Sequence, residues 1–211
     1  MQPMNAKSAR ALTLAAALTL AVAAPAAPGS ASGTGGAETV NGFYNVLLHT
    51  MRNGASLGQQ GRYAQLAPAV QRDFNIPYMT QLAVGPAWAS LNDAQKRQVT
   101  TAFEHYIAAV YADRFDSYAG EQLQVLGEQP NSYGVMVQSR IVKSTGEPVN
   151  INYLMVNGGG RWQIADVYLN GSISELATRR SEFASILRTQ GVDGLIAALN
   201  SKASTLVPSR S

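Results

Sequence analysis

Residues 122–169 read QLQVLGEQPNSYGVMVQSRIVKSTGEPVNINYLMVNGGGRWQIADVYL, and this stretch decides the fold. Its hydrophobic residues recur at every second position, which is typical of strands with one buried face. Turn sequences divide it into four expected strands, over 122–129, 133–143, 149–157 and 161–169. Strands joined by such short turns must be antiparallel. The stretch therefore predicts a four-stranded antiparallel sheet with one apolar face.

The segments on both sides of this sheet change to the helical period of 3.6. Helices are expected before it over about 39–52, 62–72, 77–84 and 90–117, and after it over 172–191 and 192–206. The longest helix can be capped by Ser90 with Asp93 or by Asn92 with Gln95, and the pattern from Ser172 to Glu175 predicts another helix start. Helices collected on one apolar sheet face indicate the α+β class.

The N-terminus has the pattern of a secretory signal peptide. Lys7 and Arg10 precede the uncharged run ALTLAAALTLAVAA, which is shorter than the ~20 residues needed to span a bilayer. We expect a signal peptide over 1–24, cleaved between about 24 and 34, and a disordered lead-in over 25–37 because that segment lacks large apolar residues. One domain is then expected over 38–206, with a tail over 207–211.

Charge and composition exclude several classes of function. The chain has 16 Lys and Arg against 13 Asp and Glu, and the expected cleavage removes two basic residues, so the mature chain is nearly neutral. Its basic residues are scattered, which argues against a nucleic-acid partner. The absence of cysteine excludes disulfides, thiolate metal sites and a thiol nucleophile. No motif for a metal or a cofactor occurs, and Asp113, Asp116 and Glu121 lack the periodicity of a calcium loop.

No catalytic residue is expected, but Asp166 has a predicted structural role. In the last strand we expect Trp162 and Ile164 to lie on the same face as Asp166, and Val167 and Leu169 to lie on the opposite face. A carboxylate among apolar residues needs partners, and these could be backbone amides or an arginine, either Arg179 or Arg180.

Six segments of the chain resemble one protein family. They are Phe74–Trp88 (FNIPYMTQLAVGPAW), Ala102–Tyr106 (AFEHY) with Tyr118–Glu121 (YAGE), Trp162–Val167 (WQIADV) and Arg180–Leu187 (RSEFASIL) with Gly194–Ile196 (GLI). In this order they resemble the MlaC family of periplasmic lipid carriers, also known as the toluene-tolerance family. The segment Gly171–Ala177 (GSISELA) is similar to its hopanoid-associated HpnM branch.

The resemblance implies a fold and a function. Helices would pack over a curved antiparallel sheet and leave an apolar cavity between the two layers. The protein would hold the tails of a phospholipid or hopanoid there and shuttle it through the periplasm between membrane-bound donor and acceptor proteins of the inner and outer membranes. It would be a carrier and not an enzyme.

The resemblance and the apolar periodicity together predict which side chains would contact lipid. From the helices they are Phe74, Met79, Leu82, Trp88, Phe103, Tyr106, Ile107, Val110 and Tyr111, and from the sheet they are Val135, Val137, Ile151, Tyr153 and Met155. Two alternatives stay open at this point. A secreted enzyme acting on a hydrophobic small molecule would need a second titrating group near Asp166, and a non-carrying adaptor of a membrane complex would have a filled core.

Overall fold

The computed structural model describes residues 35–208. The expected signal peptide over 1–24, the lead-in up to residue 34 and the tail residues 209–211 lie outside this range. Four helices come first, then five strands, then one long helix. The helices are α1 (Gly36–Arg52), α2 (Gly54–Asp73), α3 (Ile76–Val84), α4 (Asp93–Arg114) and α5 (Glu175–Leu206), and a 3₁₀ turn, Gly85–Ser90, joins α3 to α4. The strands are β1 (Gln122–Asn131), β2 (Gly134–Val142), β3 (Pro148–Gly158), β4 (Arg161–Leu169) and β5 (Ile173–Ser174).

The antiparallel α+β arrangement is confirmed, but the sheet has five strands in the order β1-β2-β3-β4-β5 and not four. The added strand pairs with the end of β4, where Tyr168 lies opposite Ser174. Asn170 and Gly171 have left-handed φ angles of 51° and 80°, and this tight turn brings the chain back along β4. The expected helix start at Ser172 is therefore wrong. Ser174 is the N-cap of α5, and its side chain accepts a hydrogen bond from the Ala177 amide.

A bulge in β4 overturns the expected alternation of its side chains. Ile164 lies opposite Met155, whereas Asp166 lies opposite Leu154, so Ala165 is an extra residue in the ladder. The extra residue reverses the alternation of the strand beyond it. Val167 and Leu169, which lie opposite Tyr153 and Ile151, therefore share the face of Ile164 instead of opposing it.

The helix boundaries follow local chemistry. Of the two expected caps for α4, the structure has the second: Asn92 accepts from the Gln95 amide at 2.9 Å, and the Gln95 side chain accepts from the Asn92 amide at 3.1 Å. The helix ends at Arg114 and not at 117. Helix α2 begins eight residues earlier than expected and is kinked at Gly58, and α5 is kinked at Gly191, which has a φ of 69°.

The helices form one layer over the sheet. Helix α1 packs on β1, β2 and β4, where its first residues are tied down by bonds from the Ala37 amide to Glu128 and from the Thr39 hydroxyl to the Trp162 carbonyl. Helix α4 packs chiefly on α2 and α5. It makes few direct contacts with the sheet. No helix within 35–208 has the length and apolar character needed to cross a membrane.

Candidate functional site

A pocket of about 490 Å³ lies between α4 and the sheet. This volume is within the usual range of small-molecule sites. Its lining is largely aliphatic and aromatic and comes from the helices and the residues that follow them, from β3 and β4, and from the residue after β2. The residues are Phe74, Met79, Phe103, Tyr106, Ile107, Val110, Tyr111, Arg114, Phe115, Lys143, Val149, Ile151, Tyr153, Asp166, Val167, Leu169, Glu175, Leu176 and Arg179.

One face of α4 makes the long wall of the pocket. Lining residues recur from Phe103 to Arg114 at spacings of three and four, so they form one broad stripe along the helix. The eleven steps along the helix from residue 103 to residue 114, at a rise of 1.5 Å each, make this wall about 16 Å long. Its width follows from two neighbouring apolar rows, one containing Phe103 and Tyr106 and the other containing Ile107 and Tyr111. The wall is long enough for an extended chain to lie along it.

The structure places nine of the fourteen residues predicted to contact lipid around this pocket. They are Phe74, Met79, Phe103, Tyr106, Ile107, Val110, Tyr111, Ile151 and Tyr153. It places the other five elsewhere. Leu82 is 40% exposed on α3, and Trp88 is half-buried with the Lys96 ammonium 5.7 Å from its ring centre.

The remaining three, Val135, Val137 and Met155, are buried core residues outside the pocket. Val137 and Met155 pack beneath the start of α1, where each would lie 3.3 Å from a Cβ placed on Gly36. Their inward orientation was expected, but the inner face of the sheet is longer than the pocket. The part of that face under α1 is ordinary filled core.

The pocket also includes residues that the sequence analysis did not name as contacts. They are Arg114, Phe115, Lys143, Val149, Asp166, Val167, Leu169, Glu175, Leu176 and Arg179, of which Asp166 had been given only a structural role. Val149 continues the alternation of Ile151 and Tyr153 and could have been found from it. Val167 and Leu169 were assigned to the wrong face because the bulge at Ala165 leaves no clear signal in the sequence. The α5 residues reach the pocket only through the turn that forms β5.

Charged side chains also form part of the pocket lining. Arg114 is the last residue of α4 and Lys143 follows β2, and because both are exposed we take their side of the pocket as its mouth. Arg179 is more enclosed and pairs with Glu182 at 2.9 Å and Glu175 at 3.3 Å. Its guanidinium also lies 5.4 Å from the centre of the Tyr106 ring. These pairs neutralise the charge of Arg179 beside the apolar lining.

The Asp166 carboxylate joins β4 to the start of α5. It accepts from the Val167 amide at 2.7 Å, the Leu176 amide at 3.0 Å and the Ser174 hydroxyl at 2.6 Å. Of the two expected kinds of partner, the structure has the backbone amides, because Arg179 pairs with glutamates instead. Negative charge is favourable at this position, since the free amides of a helix N-terminus point toward it.

Three tyrosines form a polar group inside the apolar wall. Tyr111 and Tyr153 line the pocket, and Tyr44 from α1 lies behind them. The Tyr44 and Ser139 hydroxyl oxygens are 2.6 Å apart, and the Ser139 hydroxyl donates to the Ile151 carbonyl. Burial raises the pKa of all three tyrosines, so their hydroxyls stay protonated through the physiological range.

Metal ligands are not gathered anywhere in the part of the chain that the structure describes. No three His, Cys, Asp or Glu side chains of residues 35–208 come close enough together to hold an ion. Among residues 35–208, no histidine, serine, threonine or cysteine lines the pocket.

Comparison with known proteins relates the chain to a protein family and to a solved structure. A family profile described as "MlaC protein" matches residues 42–201. Among solved structures, the chain is similar to a phospholipid-binding protein from Ralstonia solanacearum, which was determined in complex with a phospholipid. The two chains are 20% identical and superpose with a TM-score of 0.70, over 81% of this chain and 98% of the other. At this identity the likeness shows a common fold.

Proposed function

The chain belongs to the MlaC family, and from this membership and its apolar pocket we propose that it binds and carries lipid. The observation that carries the proposal is the pocket itself, a space of about 490 Å³ with largely apolar walls, whose lining includes the exposed cations Arg114 and Lys143. A protein of this size normally fills such a space with side chains. The similar fold of the phospholipid-binding protein from Ralstonia solanacearum supports the same proposal.

The physical basis is the removal of hydrocarbon from water. Each methylene group that leaves water gains about 0.8 kcal/mol, so a lipid tail crosses an aqueous space only if something encloses it. The apolar stripe of α4 and the β3 residues Ile151 and Tyr153 would enclose the tail, and a polar head would stay near Arg114 and Lys143. The mouth lets the lipid leave without unfolding of the protein.

We further propose that the carrier works in the periplasm and exchanges lipid with membrane-bound donor and acceptor proteins. The basis is the family resemblance together with the signal-peptide pattern of residues 1–24. The similarity of the segment from Gly171 to Ala177 to the hopanoid-associated branch makes a hopanoid a second candidate cargo beside a phospholipid.

The pocket favours a carrier over the two alternatives. An enzyme of the kind considered would use Asp166 as a base, but three hydrogen-bond donors already occupy that carboxylate, and no histidine lies in the lining. An adaptor would have a filled core where the pocket lies. The family membership and the similarity to a phospholipid-binding protein support lipid binding in this pocket.

One experiment tests the proposal. The mature protein, purified without detergent, is examined by native mass spectrometry, and the bound lipid is extracted and identified. We expect lipid in the wild type and much less in Ile151→Trp, because the larger side chain fills the pocket. Val137→Trp is the matched control, since Val137 belongs to the same sheet face but is fully buried outside the pocket.

The control variant should lose stability, by about 1–3 kcal/mol through overpacking, and keep its lipid. The carrier proposal fails if the wild type has no bound lipid and takes none from phospholipid vesicles.

A further inference from the structure

The pocket has the proportions of a single hydrocarbon chain. Its volume of about 490 Å³, spread along the α4 wall of about 16 Å, corresponds to a mean cross-section of about 30 Å². A methylene group fills about as much space as a molecule of liquid water, roughly 30 Å³, and an extended chain advances roughly 1.3 Å per bond. One chain therefore needs a cross-section of roughly 23 Å², and two chains side by side need roughly 46 Å². The pocket is wide enough for one chain and too narrow for two.

Packed aromatic rings keep the pocket from widening toward α1. Phe43 of α1 is fully buried, and its ring contacts Phe74 and Tyr111 edge-on, with 5.1 Å between ring centres in each pair. Phe74 and Tyr111 also contact each other at 5.6 Å, so the three rings form a closed triangle. Phe74 and Tyr111 line the pocket, whereas Phe43 does not. On the α1 side the pocket therefore ends at these rings.

Buried rings close the pocket at two further places. Phe103 of the lining contacts the buried Phe183 of α5 edge-on, with ring centres 5.4 Å apart. Tyr153 of the lining lies against the buried Tyr44 of α1, with ring centres 5.9 Å apart. A second lipid tail would have to displace one of these rings, and close-packed side chains are displaced only at a cost in stability. The side left for a second tail is the mouth, which is open to water.

We propose that the pocket encloses one acyl chain at a time, and that its preferred cargo is a lipid with a single long tail. The inference rests on the proposed lipid-binding function and names the class of lipid that the site takes. Fatty acids and lysophospholipids share this chemistry. A lipid with two long tails would leave one of them at the mouth, where each methylene that stays in water weakens binding by about fourfold.

The test compares two isomeric lipids that divide the same acyl carbons differently. Both are glycerophosphocholines with two ester groups, but one has a decanoyl and an acetyl chain and the other has two hexanoyl chains. Only the arrangement of the chains differs. Dissociation constants for the mature protein, freed of co-purified lipid, are measured by calorimetry at concentrations where both lipids are monomeric. We expect the decanoyl isomer to bind at least tenfold more tightly, because it places more methylene groups in the pocket.

Ile107→Ala widens the pocket and should reduce this preference. Ile107 belongs to the lining stripe of α4, so its truncation adds space beside the enclosed chain. We expect the ratio of the two dissociation constants to fall about threefold or more in this variant. Val99→Ala is the matched control, because Val99 is a fully buried residue of the same helix that does not line the pocket. It should lose stability and keep the wild-type ratio, and thermal melting confirms that both variants are folded.

Lipid extracted from protein purified without detergent identifies the source of the tail, since mass analysis separates a fatty acid from a lysophospholipid, and either one supports the inference. The inference is overturned, while lipid binding stands, if the isomer with two hexanoyl chains binds as tightly as the decanoyl isomer or if the extracted lipid has two long tails. It is also overturned if Val99→Ala changes the ratio as much as Ile107→Ala does. If neither isomer binds and no lipid is extracted, the proposed function fails and the inference with it.

Discussion

The Ser174 hydroxyl donates to the Asp166 carboxylate at 2.6 Å while its oxygen accepts from the Ala177 amide at 2.9 Å. One serine therefore caps α5 and also fixes that helix to β4. Asp166 adds a direct bond to the Leu176 amide in the same first turn. Because Glu175, Leu176 and Arg179 line the pocket from this turn, the contact positions one wall of the site.

Asp166→Ala is expected to destabilise the protein by about 3 kcal/mol. The substitution removes the buried carboxylate that accepts three hydrogen bonds, and it leaves the backbone amides of Val167 and Leu176 without that partner. Asp166→Asn should cost less, since one side-chain oxygen can still accept. The free energy of unfolding in urea measures both effects. Asp193→Ala, at an exposed position of α5, is the control and should change stability little. Equal stability of Asp166→Ala and wild type would contradict the role assigned to this carboxylate.

Replacing Gly54 with alanine should destabilise the protein, whereas replacing Gly42 with alanine should stabilise it. A Cβ on Gly54 would lie 1.8 Å from the Asp116 carbonyl oxygen, so Gly54→Ala forces the start of α2 away from the loop after α4. We expect a loss of several kcal/mol, in the range of severe core changes. Gly42 lies within α1 with open space around its Cβ position, and Gly42→Ala should add about 0.5–1 kcal/mol. Thermal and urea unfolding of the two variants tests the pair, and a stable Gly54→Ala protein would refute the close approach.

The capping box of α4 should contribute measurably although it is exposed. Asn92→Ala removes the acceptor for the Gln95 amide, and we expect a loss of about 1 kcal/mol. Asn92→Asp keeps the acceptor and places a negative charge at the helix N-terminus, so it should be neutral or stabilising. Urea midpoints of the two variants give the comparison. If Asn92→Asp is as unstable as Asn92→Ala, the cap does not act through its side-chain oxygen.

Stability should fall at alkaline pH because of the buried tyrosines. Burial raises the folded-state pKa of Tyr44, Tyr111 and Tyr153 above the ordinary value of 10.0, so the native protein keeps protons that the unfolded chain releases. Their contribution is complete below about pH 10 and is lost as the pH rises from there toward the folded-state values. Urea unfolding at a series of pH values measures the slope. Tyr44→Phe removes one of the three titrating groups, so the free energy of unfolding should fall less steeply with pH above about 10. If the slope is the same as in wild type, the pKa of Tyr44 is not raised by folding.

The sequence predicts the pocket wall of α4 well and the sheet side only in part. On α4 the apolar stripe is wider than one helix partner requires, and five of the predicted residues, from Phe103 to Tyr111, line the pocket. On the sheet, alternation correctly turns Val137 and Ile151 inward, but it does not tell which helix lies above each position. Helix α1 covers Val137, whereas Ile151 faces open space. That difference depends on where distant segments pack, which periodicity does not encode.

The errors in β4 and at the start of α5 have a local cause. Ala165 is a small residue with no turn character, so the bulge that reverses Val167 and Leu169 is set by pairing with β3 and not by local propensity. Ser172 and Glu175 match a capping pattern, but pairing with β4 extends the chain until Ser174. In both places long-range hydrogen bonds override a short-range preference.

The order of the strands has a consequence for how the protein folds. Each strand pairs with its neighbour along the chain, so the sheet can grow by successive hairpins with short loops to close. Docking of α1 is different, because the bond from Ala37 to Glu128 spans 91 residues and that from Thr39 to the Trp162 carbonyl spans 123. We therefore expect the meander to form early and α1 to close over it late. Mutations in the β2–β3 hairpin should then slow folding, while mutations in α1 should mainly speed unfolding.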